Sequence, residues 1–355
     1  MEEIDRFQSN LQILKELTKS NGHPNINALW WIAKDLQHLN LNIKFFGYEI
    51  AKRLAQALPE RSNLRPVTGI DLKSKPSTQE DLESDWAAYW ASQLKLPVVF
   101  HRKLWEFVYL LQVLHDHNLL RADLKGLGFG CGEEPIASYL ASLGIDVVVT
   151  DLSPDSEANK VWSATGQHTT DLEKAYRPEL VERNLFDRHV SLQYVDMNSI
   201  PNELGGFDFC WSICALEHLG SIEHGLKFIE NSIATLRPGG VAIHTTEFNF
   251  LNDNETLDNW PTVLFQKTHF QEIFDRLSLS GHKVSPLDFS VGSKPMDRFI
   301  DVPPFAHDWS DFMKTEWGGK SAAQTLAIDG TNSLKLAIDG FACTCFGIAV
   351  QRSLV

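Results

Sequence analysis

Apolar residues recur along the first third of the chain at the three-to-four spacing of a helical face. Phe7, Leu11, Leu14 and Leu17 predict a helix over 5–18. Ile26, Leu29, Trp30, Ile32 and Leu36 predict a second over 25–38, and Ile43, Phe46, Ile50, Leu54 and Leu58 a third over 43–58. Residues 59–83, rich in Pro, Ser and Lys, read as a surface loop or linker after these three helices. The helical period resumes over 84–94 and 101–118, where Leu104, Phe107, Val108, Leu111 and Leu114 form one stripe.

From Lys125 the period changes. Short apolar runs at 125–129, 146–150, 190–195, 207–212 and 241–245 predict five strands, with helices over 136–143 and 226–236 between them. Such alternation implies an α/β fold with a parallel sheet covered on both faces. A helix near 267–279, a strand near 283–289 and a last strand at 343–351 continue it. Residues 292–333 interrupt with Gly, Pro, Asp and aromatics, including Met296, Asp297, Arg298, Phe299, Asp301, Phe305, His307, Trp309 and Trp317. This segment reads as an insertion before the last strand, a lid whose mixture of aromatic and polar groups suits a polar, sugar-like small molecule. The expected divisions are 1–95 for the N-terminal helical region and linker, 96–291 for the core, 292–333 for the lid and 334–355 for the last strand. The echo at Leu326–Gly330 and Leu336–Gly340 marks two Asp-Gly turns rather than a repeat.

Composition narrows the function. At 43% hydrophobic and 22% charged, the 355 residues suit a globular protein with a sizeable core. Net charge is -14, from 46 acidic and 32 basic residues without a basic block, which disfavours a nucleic-acid partner. No apolar run approaches the ~18 residues of a membrane span, and the start lacks a signal-peptide pattern. Five cysteines without a CxxC pair fit a reducing compartment, so the expected location is cytoplasmic.

The turn after the first strand holds Gly128, Gly130 and Gly132 at alternate positions. Glycine there admits positive φ and close approach of backbone to a ligand, and the turn opens a helix N-terminus. Asp151, followed by Leu152, ends the second strand, where a carboxylate grips ribose hydroxyls. Asp196-Met197 follows the third strand, where a carboxylate can accept from an adenine amino group.

With GLGFGCGEEP at 126–135, TDLS at 150–153, VDMNSIP at 195–201, FDFCWSICALEHL at 207–219 and LRPGG at 236–240, the stretch Arg102–Phe248 resembles the class I S-adenosylmethionine-dependent methyltransferases. RKLWEF at 102–107 and HTTEFN at 244–249 resemble bacterial members associated with glycan and cell-surface biosynthesis. The resemblance implies a Rossmann-like seven-stranded sheet of order 3-2-1-4-5-7-6 with its last strand antiparallel. It implies S-adenosylmethionine as cofactor, bound by residues that include Gly128, Glu133 and Leu152, with Gly130 and Gly132 at its methionine end, Asp151 at ribose, and Asp196 and Met197 framing adenine. Ser212 and Cys214 would pass the sulfonium by their backbone. Trp105, on the helix before the first strand, reads equally as a cover for the methionine end or as helical core packing. Two departures stand out: Gly128 replaces the usual leading acid and Glu134 the usual third glycine, so Glu133 or Glu134 would have to supply the missing carboxylate.

A dehydrogenase G-x-G-x-x-G has no frame here, since Cys131, Glu133 and Pro135 occupy its third-glycine positions. Gly319-Lys320-Ser321 imitates a P-loop end without its first glycine. A methyltransferase-like domain kept for binding alone is a third rival. For O-methylation of a small molecule or glycan intermediate, a base must take the hydroxyl proton. His218, after the fourth strand, and Glu247, after the fifth, occupy that end of the sheet. N-methylation of a small molecule is the next reading. His244 reads as a satisfied strand histidine. A zinc site is not expected, since Cys343 and Cys345 share a face without further ligands in view, and a magnesium pair would be Glu247 with Asp253.

Overall fold

The computed structural model describes residues 17–153, 172–303 and 333–354, with Lys15 and Phe305. Expectations for Phe7, Leu11, Leu14, His307, Trp309, Trp317, the Gly319–Ser321 tripeptide and the first Asp-Gly echo lie outside these residues. The chain forms two compact units, residues 51–305 with 331–355, and residues 1–50 with 306–330.

Among the described residues, the larger unit is built on a ten-stranded mixed sheet. Its strands are β1 (Lys75–Pro76), β2 (Lys125–Phe129), β3 (Asp146–Asp151), β4 (Val190–Tyr194), β5 (Phe207–Ile213), β6 (Leu236–Asn249), β7 (Lys283–Val284), β8 (Ile300–Asp301), β9 (Lys335–Ile338) and β10 (Phe341–Gln351). The order β4-β3-β2-β5-β6-β10, with β7 pairing β10, is the expected 3-2-1-4-5-7-6. Strands β4 to β6 are parallel, and β10 lies antiparallel to β6. The further strands β1, β8 and β9 extend the β10 side.

Side chains alternate along the strands and feed two cores, one on each sheet face. Phe209, Trp211, Val241 and Ile243 pack with the helices Asp85–Gln93, Arg102–Asp116 and Ile136–Ser142. Cys210, Ala242, Phe346 and Ile348 pack on the other face with the helices Ile222–Ala234 and Lys267–Leu279. Ser221 starts the former helix, its Oγ accepting from His224 N, so that helix begins four residues earlier than its apolar period suggests.

Four local expectations change. The helices expected at 25–38 and 43–58 are one helix, Ile26–Gln56. No Gly or Pro lies between Leu39 and Asn42, and the 36–39–43 spacing carries the apolar face straight across. The end of the expected 59–83 surface loop is interior: Ser74, Ser77, Thr78, Gln79 and Asp81 are buried, and β1 pairs β10. The strand expected over 283–289 stops at Val284, because Pro286 has no N–H for a ladder and Leu287 turns to bridge Ser74. The LRPGG turn lies within β6, where a register irregularity opposite Phe207 and Phe209 absorbs it. The second Asp-Gly echo does form a tight hairpin: Asp339 and Gly340, both at positive φ, join β9 to β10.

Candidate active site

The turn after β2 is fixed by packing. A Cβ on Gly130, at φ +58°, would meet Ala215 Cβ at 2.9 Å and Met197 Sδ at 3.4 Å. Three segments separate in sequence, the turns after β2, β4 and β5, therefore meet at one point beyond the carboxyl ends of the strands. A Cβ on Gly128 would lie 2.3 Å from Cys131 Sγ and 2.5 Å from Trp211 Cζ2. That explains the missing leading acid: no side chain fits there. Gly132 also takes positive φ.

The two glutamates of the turn diverge. Glu133 is exposed and lies 3.5 Å from Lys174 Nζ, away from the core. Glu134 turns inward, and its Oε2 accepts from Trp211 Nε1 at 3.0 Å. Burial raises its pKa to about 8, the indole hydrogen bond working the other way.

Asp151 ends β3 half-buried, with Oδ1 accepting from Leu152 N at 2.8 Å. Asp196 is exposed and closes its own turn onto Asn198 N at 2.8 Å, while Met197 is buried beneath it. Ser212 is buried and bonds His244 Nδ1 at 2.8 Å, and His244 Nε2 bonds Ser232 Oγ at 2.9 Å. Burial lowers the His244 pKa to about 3, so it is a neutral, satisfied strand histidine. Trp105 is turned into the core, its Nε1 donating to Asp81 Oδ2 at 2.8 Å and its ring stacked on Tyr109. Asp297 is also a clamp, its two oxygens accepting from Gln79 N at 2.7 Å and Lys294 N at 3.0 Å.

Beside the Gly130 turn lies a buried polar cluster. Cys214, at φ +46°, follows β5, and its N–H donates to Thr245 O at 3.0 Å. Across β6 and β10, Glu247 is in register with Cys345, and Cys345 Sγ lies 3.7 Å from Cys214 Sγ. The helix Arg102–Asp116 packs over this face and adds Arg102, Lys103 and Glu106. Arg102 Nη1 donates to Glu247 Oε1 and lies 3.9 and 3.8 Å from the Cys214 and Cys345 sulfurs. Cys345 Sγ is 3.1 Å from Glu106 Oε1, Lys103 Nζ is 3.5 Å from the same oxygen, and Thr245 Oγ1 donates to Glu106 Oε2. Burial works to lower the Arg102 pKa, but the neighbouring thiols and Glu106 outweigh it and raise it. Burial works to raise the Glu106 pKa, but Lys103 and Arg102 hold it below the usual carboxylate range.

The catalytic candidates join this cluster. Glu247 is 2% exposed, and its Oε2 has no hydrogen-bond partner among the described residues. Glu217 is buried, with Oε2 accepting from Thr246 Oγ1 at 3.1 Å and Oε1 lying 3.9 Å from His218 Nε2. His218 Nδ1 donates to Pro261 O at 3.0 Å, which leaves Nε2 as the basic nitrogen. Burial lowers the His218 pKa, opposed by Glu217, so the ring is neutral at pH 7.

Two donor sets, Glu106–Cys214–Cys345 and Cys214–Glu217–Glu247, each have ligand atoms within 4.8 Å of one another. Arg102 Nη1 sits among both, so side chains already supply positive charge there. Asp253, expected beside Glu247, is exposed and pairs with Lys267 Nζ at 3.2 Å. The expectation that Cys345 has no further ligand types nearby is also corrected, since Cys214 and Glu106 reach it from β5 and the helix. Arg102, Glu106 and Thr245 were not assigned a role from sequence. The available signal was Arg102, Lys103 and Glu106 at i, i+1 and i+4 in the first two turns of a helix that is apolar from Phe107 to Leu111.

A methyltransferase-domain family model matches residues 101–281, just over half of the chain. No curated protein matches. Among solved structures, one similar chain is a Galdieria sulphuraria protein provisionally assigned as a sarcosine dimethylglycine methyltransferase. It is 14% identical with a TM-score of 0.41, covering 79% of this chain and 92% of that one. Another is Haemonchus contortus phosphoethanolamine N-methyltransferase 2 in complex with S-adenosyl-L-methionine, 15% identical, TM-score 0.38, covering 68% and 52%. A third is an S-adenosylmethionine-dependent methyltransferase from Mesorhizobium loti, 13% identical, TM-score 0.35, covering 68% and 96%.

Proposed function

The chain belongs to the methyltransferase-domain family and takes S-adenosylmethionine as methyl donor, and from that premise we propose that it methylates a hydroxyl of a small molecule or glycan intermediate. The residues fit the cofactor. Gly130 brings bare backbone against Met197 and Ala215, and Asp151 and Asp196 offer carboxylates at the neighbouring strand ends. Gly130, Gly132 and Ser212–Cys214 would hold the methionine end, Asp151 and Leu152 the ribose, and Asp196 and Met197 the adenine. When bound, the cofactor supplies an electrophilic methyl group on a sulfonium.

The single observation that carries the reaction is Glu247 Oε2, a buried carboxylate oxygen with no hydrogen-bond partner among the described residues. Leaving such an atom unsatisfied costs about 1–3 kcal/mol, more for a charged group, so an acceptor hydroxyl that donates to it relieves that cost. Glu247 then holds the hydroxyl and takes its proton, while Arg102 fixes the other carboxylate oxygen. His218 is the other candidate base, its Nε2 lying 3.9 Å from Glu217, whose carboxylate comes within 4.8 Å of Glu247. The small-molecule or glycan class rests on the resemblance of RKLWEF and HTTEFN and on the absence of a basic block in a chain of net charge -14.

An N-acceptor is the second reading, favoured by three buried carboxylates, Glu106, Glu217 and Glu247, set against Arg102 and Lys103. Calorimetry with S-adenosylmethionine and S-adenosylhomocysteine tests the premise: wild type binds both, and Asp151→Ala weakens binding roughly 100-fold, the worth of two hydrogen bonds to a charged group. No binding by wild type overturns it. Binding with no methyl transfer to hydroxyl or amine acceptors favours a domain that only binds.

A further inference from the structure

Among the described residues, the helix Ile26–Gln56 leaves a line of apolar side chains uncovered. Leu29, Ile32, Leu36, Leu39, Ile43, Phe46 and Ile50 follow a strict 3-4-3-4-3-4 spacing, and each is between 41% and 62% exposed. Off the seam, Trp30, Trp31 and Phe45 are also 49–63% exposed, and the buried positions are confined to the second half of the helix. Lys44, Gly47 and Tyr48 are buried there, the Lys44 Nζ lying 5.8 Å from the Tyr48 ring centre.

We propose that Leu29–Ile50 is a coiled-coil seam that pairs with the same helix of a second copy of this chain. The period argues for a helix as partner. A seven-residue repeat drifts about 20° per heptad around a straight helix, so only a partner that supercoils with it stays in contact along three heptads. A flat surface calls instead for the 3.6-residue stripe. An identical helix supplies the matching repeat by construction, and two-fold pairing makes the patch self-complementary.

The area is sufficient. Seven large apolar side chains, each about half exposed, offer on the order of 100 Å² apiece, so two copies remove roughly 1,400 Å² from water. Stable interfaces bury about 1,200–2,000 Å². Charge is compatible too. No charged residue interrupts the seam from Leu29 to Ile50, and Arg53 ends it at the next seam position. In a parallel pair the flanking Asp35 of one copy meets Asn40 of the other, and Asn42 meets Gly47, so no like charges oppose. An anionic membrane, by contrast, meets a chain of net charge -14.

Light scattering of the full chain tests this. The expected mass is about twice the 40.1 kDa of one chain. Leu36→Glu with Ile43→Glu, both at exposed positions, should give a folded monomer with unchanged cofactor affinity, its dissociation constant raised at least ~100-fold. Should that variant misfold, Leu36→Cys in the otherwise native chain keeps the question open to test. Mild oxidation should cross-link it to a double-mass band that wild type lacks. A wild-type monomer at ~100 µM overturns the proposal, and so does recovery of wild type on phosphatidylglycerol vesicles with no dimer in solution.

Discussion

Glu134 accepts a 3.0 Å hydrogen bond from the indole Nε1 of Trp211, joining the glycine-rich turn to the strand beside it. Burial raises the Glu134 pKa to about 8, from an ordinary value of 4.5. The folded state therefore holds a proton that the unfolded chain has already lost near neutrality. Its contribution to stability is full below about 4.5 and is lost as pH rises through about 8. Thermal midpoints of wild type should fall across that window, and Glu134→Gln should flatten this part of the profile. Parallel profiles for the two proteins would show that Glu134 titrates normally.

Glu247→Gln should lower turnover by ~10²–10⁴-fold, the usual worth of a positioned base, with cofactor affinity changed less than about threefold. His218→Ala should cost less, because its Nε2 lies 3.9 Å from Glu217 rather than at the open Glu247 oxygen. Rates measured alongside cofactor calorimetry separate the two effects. Full activity in both variants would exclude both as the base.

Arg102→Leu leaves Glu247 and Glu106 with less compensating charge in a buried cluster. It should destabilise the fold by about 3 kcal/mol, and adding Glu247→Leu should recover part of that loss. Denaturant titrations of the double-mutant cycle measure the coupling. Strictly additive losses would mean that the ion pair contributes nothing.

Gly128→Ala should destabilise by about 1–3 kcal/mol through overpacking, because the new Cβ falls 2.3 Å from Cys131 Sγ and 2.5 Å from Trp211 Cζ2. Pairing it with Trp211→Phe, which shortens the ring system, should return part of the loss. Urea midpoints read both.

Local chemistry made much of the protein legible in its sequence. The strand starts at Lys125, Asp146, Val190 and Phe207 agree with the apolar runs, because a buried parallel strand needs little but continuous apolar residues. Helix continuity was harder to read. The Leu36–Leu39–Ile43 spacing predicts an unbroken helix only when the two windows are read as one. The short β7 was obscured because Pro286 ends a ladder inside an apolar run.

The sequence by itself determined the succession of strands along the chain, the glycine-rich turn and the acids at or just after the ends of β3 and β4, since each depends on residues close in the chain. Tertiary structure alone decided which side chains share the buried cluster. Arg102, Glu106, Cys214, Glu247 and Cys345 lie up to 243 positions apart, and they meet only because β6 and β10 pair in one register under one helix. It also decided that Gly128 has no room for a carboxylate and that burial raises the Glu134 pKa, because steric room and desolvation are set by neighbours distant in sequence.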